Sequence, residues 1–304
     1  MGAGHGHGHG ATAGHVGGKY RWRLAVTFAM VAAFFLVELF AGLWSGSLAL
    51  ISDAGHMAAD VVALGAALVA TRIATRPDRT GRRTYGSYRA EVFASGLAVL
   101  IMLGVAAFVV TEAIGRIGAA PEVATGPMLI VGVIGLVINV LSMLLLREGS
   151  AESLNVKGAY YEVVSDAAGS VGVIVAGGLI VLTGQAVWDT VVAVAIGVFV
   201  AVRAVLLGKQ VLAVLGQHVP DDVSLDQVIT DLESLSGVAD VHDIHVWTLT
   251  SGMHVATAHL VVSDTDAQEV LTKAQELLAS KHRIEHATLQ TESAPTQQCH
   301  EVNW

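Results

Sequence analysis

Charge is scarce in this sequence. Lys, Arg, Asp and Glu make up 14% of 304 residues, where about 25% is usual for a soluble domain. Cysteine is nearly absent. The single Cys299 excludes an internal disulfide and any multi-cysteine zinc module. No basic stripe runs through the chain, which argues against nucleic acid as a partner. No H-E-x-x-H occurs, so the helical signature of a zinc protease is missing. No cleavable signal peptide is visible: the first apolar run follows a Gly/His-rich segment, is long enough to span a bilayer, and is expected to stay in the mature protein.

What the chain does have is apolar surface. It is 53% hydrophobic, with a mean hydropathy of +0.61. About 20 apolar residues cross a hydrocarbon core as a helix, and six such runs lie near 22–44, 48–71, 90–114, 125–146, 158–183 and 187–207. After about residue 210 the composition becomes that of a soluble protein. The expected organisation is a flexible His-rich segment over 1–20, a six-helix transmembrane domain over 21–208, a small domain over 209–293, and a loose tail over 294–304. In the small domain, "PDDVSLDQVITDLESLSG" reads as an amphipathic helix. The next stretch reads as a hairpin turning at Ser251-Gly252, followed by a second helix and a strand "HATLQTE". The order α-β-β-α-β predicts a three-stranded, ferredoxin-like α+β domain with helices on one face.

The cations are segregated. Lys19, Arg21, Arg23, the arginines of 72–89, Arg147, Lys157, Arg203 and Lys209 fall on one side of the predicted spans, and only Arg116 on the other. The Lys/Arg-rich side is the cytoplasmic one, which puts both termini in the cytoplasm of a multi-pass protein of the cell membrane.

Ionisable residues inside the spans are costly and usually functional. In the second span Asp53, His56 and Asp60 project to one side, and in the fifth Glu162 and Asp166 stand four apart on one face. One imidazole and three carboxylates at His56, Asp60, Glu162 and Asp166 make a shell for a divalent transition metal, zinc above all. Asp53 stands open between a ligand-shell role and a packing role. Glu38, Glu112 and Asn139 read as isolated packing or interfacial groups. Glu162 reaches the depth of Asp60 only if the fifth helix starts early, near Ser150, with that serine as its N-cap.

Four stretches, "GSLALISDAGHMAAD", "TYGSYRAE", "SLNVKGAYYEVVSDAAGSVG" and "VHDIHVWTLTSG", resemble the cation diffusion facilitators, closest to the zinc/cadmium/cobalt branch. The resemblance covers nearly the whole chain. It implies six spans, a cytoplasmic α-β-β-α-β domain, a homodimer, and a secondary active transporter, not an enzyme, that exchanges cytoplasmic metal for protons from outside. The family's transport site falls on His56, Asp60 and Asp166. Most zinc members have histidine where this chain has Glu162, and a metal-resistance subset has glutamate there. The extra oxygen donor loosens a strict zinc preference, so Zn2+ is the expected substrate, with Cd2+ and Co2+ admitted. The His-rich loop common between the fourth and fifth spans is missing from "REGSAES".

The resemblance also places metal ligands near His242 and His259, with Glu292 joining from the third strand, for a regulatory Zn2+; no prosthetic group is implied. His245, His254 and His282 have the alternative of being surface histidines without a ligand role. His5, His7, His9 and His15 either raise local zinc concentration or belong to a dispensable tail, and Cys299-His300 offers an extra ligand pair. Two rival readings of the chain stand beside transport: an intramembrane metalloenzyme, and a metal-sensing membrane protein.

Overall fold

The computed structural model describes residues 14–74, 84–85, 88–117, 122–150, 154–250, 252–263 and 266–294. The histidines of 5–9 and the Cys299-His300 pair lie outside these. Six long helices come first: α1 Gly14–Ser45, α2 Leu48–Ala74, α3 Ala90–Gly115, α4 Thr125–Ser150, α5 Leu154–Thr183 and α6 Val187–Leu215. At 1.5 Å per residue the 26 residues of α3 reach about 39 Å, more than the ~30 Å of a hydrocarbon core. Large apolar side chains such as Phe40, Trp44, Phe93, Leu100, Ile130 and Leu144 point outward, where lipid is the solvent that suits them.

Among the described residues five stretches are long and apolar enough to span: Ala25–Ser45, Val92–Gly115, Thr125–Glu148, Tyr160–Thr183 and Val187–Leu215. The 27-residue α2 carries polar residues, and several of them are turned inward. Ser52, Asp53 and His56 are all buried. Leu48, Ala49, Leu50 and Met57 of α2 share a core with Val31 and Phe34 of α1, Val109 of α3, Met128 of α4 and Val173 of α5. Lower down, Ala59 packs with Ala98, Val99 and Met102 of α3 and Val200 and Ala204 of α6. Small residues let these helices close in. A Cβ on Gly55 would lie 2.2 Å from a Val105 methyl, and one on Gly169 would lie 2.2 Å from Asp53 Oδ1.

Differences from the sequence reading lie at the helix ends. Ser150 closes α4 instead of capping α5, which starts at Leu154. That start is still early enough to put Glu162 eight residues, about 12 Å, into the helix. The sixth helix runs on to Leu215, and α1 already begins at Gly14, inside the segment read as a tail.

The chain falls into two compact units, residues 1–68 with 94–207 and residues 69–93 with 208–304. In the second, α7 (Leu225–Glu233), β1 (Val238–Thr250), β2 (Met253–Val262), α8 (Ala267–His282) and β3 (His286–Glu292) follow in the expected order. The strands lie in the order β1-β2-β3. β2 is antiparallel to β1 across the Gly252 turn, and parallel to β3 through the α8 crossover. Asp266 caps α8, its carboxylate accepting from Gln268 N–H at 2.9 Å. Val228 and Leu232 of α7 and Val270, Ala274 and Leu278 of α8 cover Ala256 and Leu260 of β2. Side chains alternate along a strand, so His259 belongs to the opposite face. His282 and Lys281 tie the two helices together through Asp231.

One end of the helical domain is locked by a buried carboxylate. Asp189, in the first turn of α6, accepts from Leu48 N–H at 2.6 Å, Ala49 N–H at 3.2 Å and the Ser47 hydroxyl at 2.6 Å. It thereby caps α2 from another helix, with the positive ends of two helix dipoles facing it. Arg116, just past α3, donates to Asp189 at 3.2 Å and to the Gly46 carbonyl at 3.0 Å. Replacing Asp189 by Ala leaves three donors at the start of α2 without their acceptor and takes one of the partners of Arg116, so the purified protein is expected to lose about 3–5 kcal/mol of stability. Thermal unfolding in detergent checks this, and Asp189→Ala paired with Arg116→Met is expected to recover part of the loss.

Candidate metal centres

Halfway along the helical domain three ligand-type side chains converge. His56 and Asp60 sit one turn apart on α2, and Asp166 faces them from α5. His56 Nε2 lies 3.6 Å from Asp60 Oδ2 and 3.5 Å from Asp166 Oδ1. One donor atom from each of the three lies within 4.8 Å of the others. Asp60 Oδ2 and Asp166 Oδ1 are buried and have no hydrogen-bond partner among the described residues. Buried acceptors left in this state cost free energy. Two carboxylate oxygens and an imidazole nitrogen aimed at one point suit a borderline divalent cation.

Glu162, one turn from Asp166 on α5, is not in that inner trio. It is ion-paired to Arg203 of α6. Arg203 also reaches His56: its Nη1 lies 2.9 Å from Nε2. A guanidinium only donates, so His56 Nε2 is the acceptor and its lone pair is engaged by Arg203. Exposure rises outward through the cluster, from 2% for the His56 and Asp166 side chains to 12% for Asp60, 26% for Arg203 and 35% for Glu162. Exposure thus rises toward the end of the bundle opposite Asp189.

Arg203 is the functional residue that sequence reading missed. It was counted with the flanking cations, yet α6 continues 12 residues beyond it to Leu215. The signal was available, because Arg203 falls inside the apolar run 187–207. Asp53 is not among the three. It is buried against Gly169, and Glu38 of α1 is buried near it. Glu38, read as isolated, is thus fully buried beside a second carboxyl group. Asn139 of α4 likewise donates to Ser170 of α5 at 3.4 Å.

The second cluster lies on the sheet. His242 of β1 and His259 of β2 are direct cross-strand partners, with ring centroids 5.4 Å apart. From β3, Glu292 places Oε1 2.9 Å from His259 Nδ1 and Oε2 3.6 Å from His242 Nε2. His242 Nε2 is buried without a hydrogen bond among the described residues. A β-bulge follows. Asp243 adopts φ 50°, and His245 pairs with Thr257, so three residues of β1 oppose two of β2. The bulge turns His245 to the same face as His242. There Asp243 holds His245 at 3.0 Å and approaches His259 Nε2 at 3.8 Å. His254 and His282 are engaged elsewhere, by Thr248 and Asp222, and by Asp231.

Comparison with known proteins agrees with both halves. Residues 24–215 match the family model of the cation efflux transmembrane domain, and residues 220–294 match that of the cation efflux protein cytoplasmic domain. The metal cation efflux system protein CzcD of Cupriavidus metallidurans is 44% identical over 301 residues, covering 98% of this chain and 92% of the relative. The zinc transporter ZitB of Escherichia coli is 37% identical, covering 91% of this chain and 88% of the relative. A cadmium, cobalt and zinc/H(+)-K(+) antiporter of Bacillus subtilis is 32% identical, covering 92% and 91%. A solved metal-bound C-terminal domain of the Cupriavidus CzcD transporter is 38% identical over 23% of this chain and 99% of that one, with a TM-score of 0.22. The chain is a multi-pass membrane protein, and it belongs to the cation efflux, or cation diffusion facilitator, family.

Proposed function

We propose that this chain exports Zn2+, and also Cd2+ and Co2+, from the cytoplasm in exchange for protons, as a secondary active transporter. The observation that carries the reading is the meeting of His56, Asp60 and Asp166 within 4.8 Å inside a helical membrane domain. The CzcD, ZitB and antiporter relatives support the substrate class. The six helices all cross the cell membrane, α2 included, with both termini in the cytoplasm; the Lys/Arg bias supports this orientation. The centre then opens to the cytoplasm in the present conformation, since Glu162 and Arg203 lie on that side of Asp166.

His56, Asp60 and Asp166 hold the ion, and Glu162 joins them from the mouth. Each ligand must give up its proton to bind, so metal binding and deprotonation are linked. After the helices rock, protons arriving from the outer side compete for the same atoms and free the ion. Replacing Asp60 or Asp166 by Ala is expected to lower Zn2+ flux into proteoliposomes by more than ~100-fold, beyond the 10–100-fold typical of an outer-shell partner. Wild-type flux in either variant overturns the site. In a metal-competition transport assay, Glu162→His is expected to raise the preference for Zn2+ over Co2+ by exchanging an oxygen donor for imidazole. An unchanged ranking refutes that role for Glu162.

The sheet cluster holds a regulatory ion in a homodimer. Support comes from the three converging donors, the unpartnered His242 Nε2 and the match to the family's cytoplasmic domain. The charge of a bound cation would link β1, β2 and β3 through His242, His259 and Glu292. When the full chain is stripped of metal and retitrated with Zn2+, His242→Ala or His259→Ala is expected to take up one equivalent fewer per chain. Transport at saturating Zn2+ is expected to persist.

A further inference from the structure

An arginine inside an apolar helix carries its charge at every physiological pH, and it persists there only with partners. Arg203 lies 16 residues into α6, about 24 Å from the start of that helix. Its partners are His56, whose Nε2 accepts from Nη1 at 2.9 Å, and the carboxylate of Glu162. The guanidinium carbon lies 5.9 Å from the Phe199 ring, which also sets its edge against His56 at 6.1 Å. Phe199 thus lines up both groups. The bond to His56 decides the matter: the lone pair that Arg203 engages is the one that a metal ion must take. The Glu162 oxygen that Arg203 holds is withheld from a metal in the same way.

The charges follow. Asp60, Glu162 and Asp166 are three acidic groups in a confined space, and Arg203 offsets one of them. A divalent cation that takes the place of the guanidinium brings one more positive charge to the same groups. The arginine side chain is 26% exposed and lies on the mouth side of the trio, so its long stem can withdraw the head group toward water without unfolding anything.

The geometry points to Arg203 as a tethered counter-ion that docks on His56 and Glu162 when the metal is gone and must be displaced when metal binds. It acts as an intramolecular competitor. It keeps the empty centre from holding three uncompensated carboxylates, weakens metal binding, and speeds release. This rests on the assignment of His56, Asp60 and Asp166 as the transport site.

The test is Zn2+ transport by proteoliposomes of the full chain, with Arg203→Gln, Arg203→Lys and Asp166→Ala measured together. If the docked guanidinium fills the centre nine-tenths of the time, removing it lowers the apparent Zn2+ constant about tenfold. Arg203→Gln is therefore expected to show KM lowered about tenfold, with kcat lowered as well because release slows. Arg203→Lys keeps a charge but not the two-pronged reach, and its KM is expected to fall between. An arginine that merely props the helices together gives a raised or unchanged KM in Arg203→Gln, and that result overturns the proposal. Zn2+-induced thermal stabilisation in detergent reads the same affinity where turnover is too slow to measure. It is expected to be larger in Arg203→Gln than in the parent, and an equal or smaller shift again overturns the proposal. Asp166→Ala separates the two levels. Loss of transport there with an unchanged Arg203→Gln constant removes only the counter-ion, whereas undiminished transport in Asp166→Ala removes the site on which it rests.

Discussion

Everything in the helical domain is arranged around one constraint: carboxylates held close together in a poorly solvated interior repel each other and miss their water. Asp60, Glu162 and Asp166 can share that space only with a cation among them or with protons on them. The ion pair from Arg203 to Glu162 and the bond from Arg203 to His56 meet this need from within the chain. A site that needed no internal cation would have no reason to keep an arginine in the middle of a helix whose other face meets lipid. The centre is thus defined by charge balance as much as by ligand geometry, and a divalent ion and protons are alternative ways of restoring that balance.

The packing follows from where the polar groups must go. The helix α2 carries Ser52, Asp53, His56 and Asp60 within nine residues, and all of them have to avoid lipid. It is therefore wrapped by the other helices, with Gly55 admitting Val105 of α3 and Gly169 of α5 admitting the Asp53 carboxyl group. Its N-terminal end is pinned by Asp189, which the strong short bonds to Leu48 N–H and Ser47 hold in place. Its other polar end faces the open mouth.

The fold was legible to the extent that it depended on local signals. Long apolar runs, turn residues at Gly46, Gly184 and Gly252, and the switch to strand alternation after residue 238 all act over short distances. So did the i, i+4 pairs of α2 and α5, because helical periodicity alone puts His56 beside Asp60 and Glu162 beside Asp166. What escaped were contacts between elements. Arg203 looked like a flanking cation because the length of α6 past it was underestimated. Glu38 looked isolated because its partner Asp53 lies on another helix. Asp189 gave no signal at all, since capping α2 from α6 is invisible to any reading of neighbours along the chain. The bulge at Asp243 was equally hidden: it changes which face His245 occupies, and strict alternation would have put that histidine on the side of the helices.

The two clusters use the same ligand types but balance charge differently, and this bears on how firmly each holds an ion. In the sheet cluster, two imidazoles share the buried carboxylate of Glu292, and Asp240 and Asp243 stand beside them. In the helical centre one imidazole is outnumbered by carboxylates, and a competing guanidinium stands at the mouth. An ion in that centre meets a rival for His56 each time it binds. The sheet cluster thus offers two imidazoles and a carboxylate, the helical centre one imidazole and two carboxylates, and the second donor set is the harder of the two.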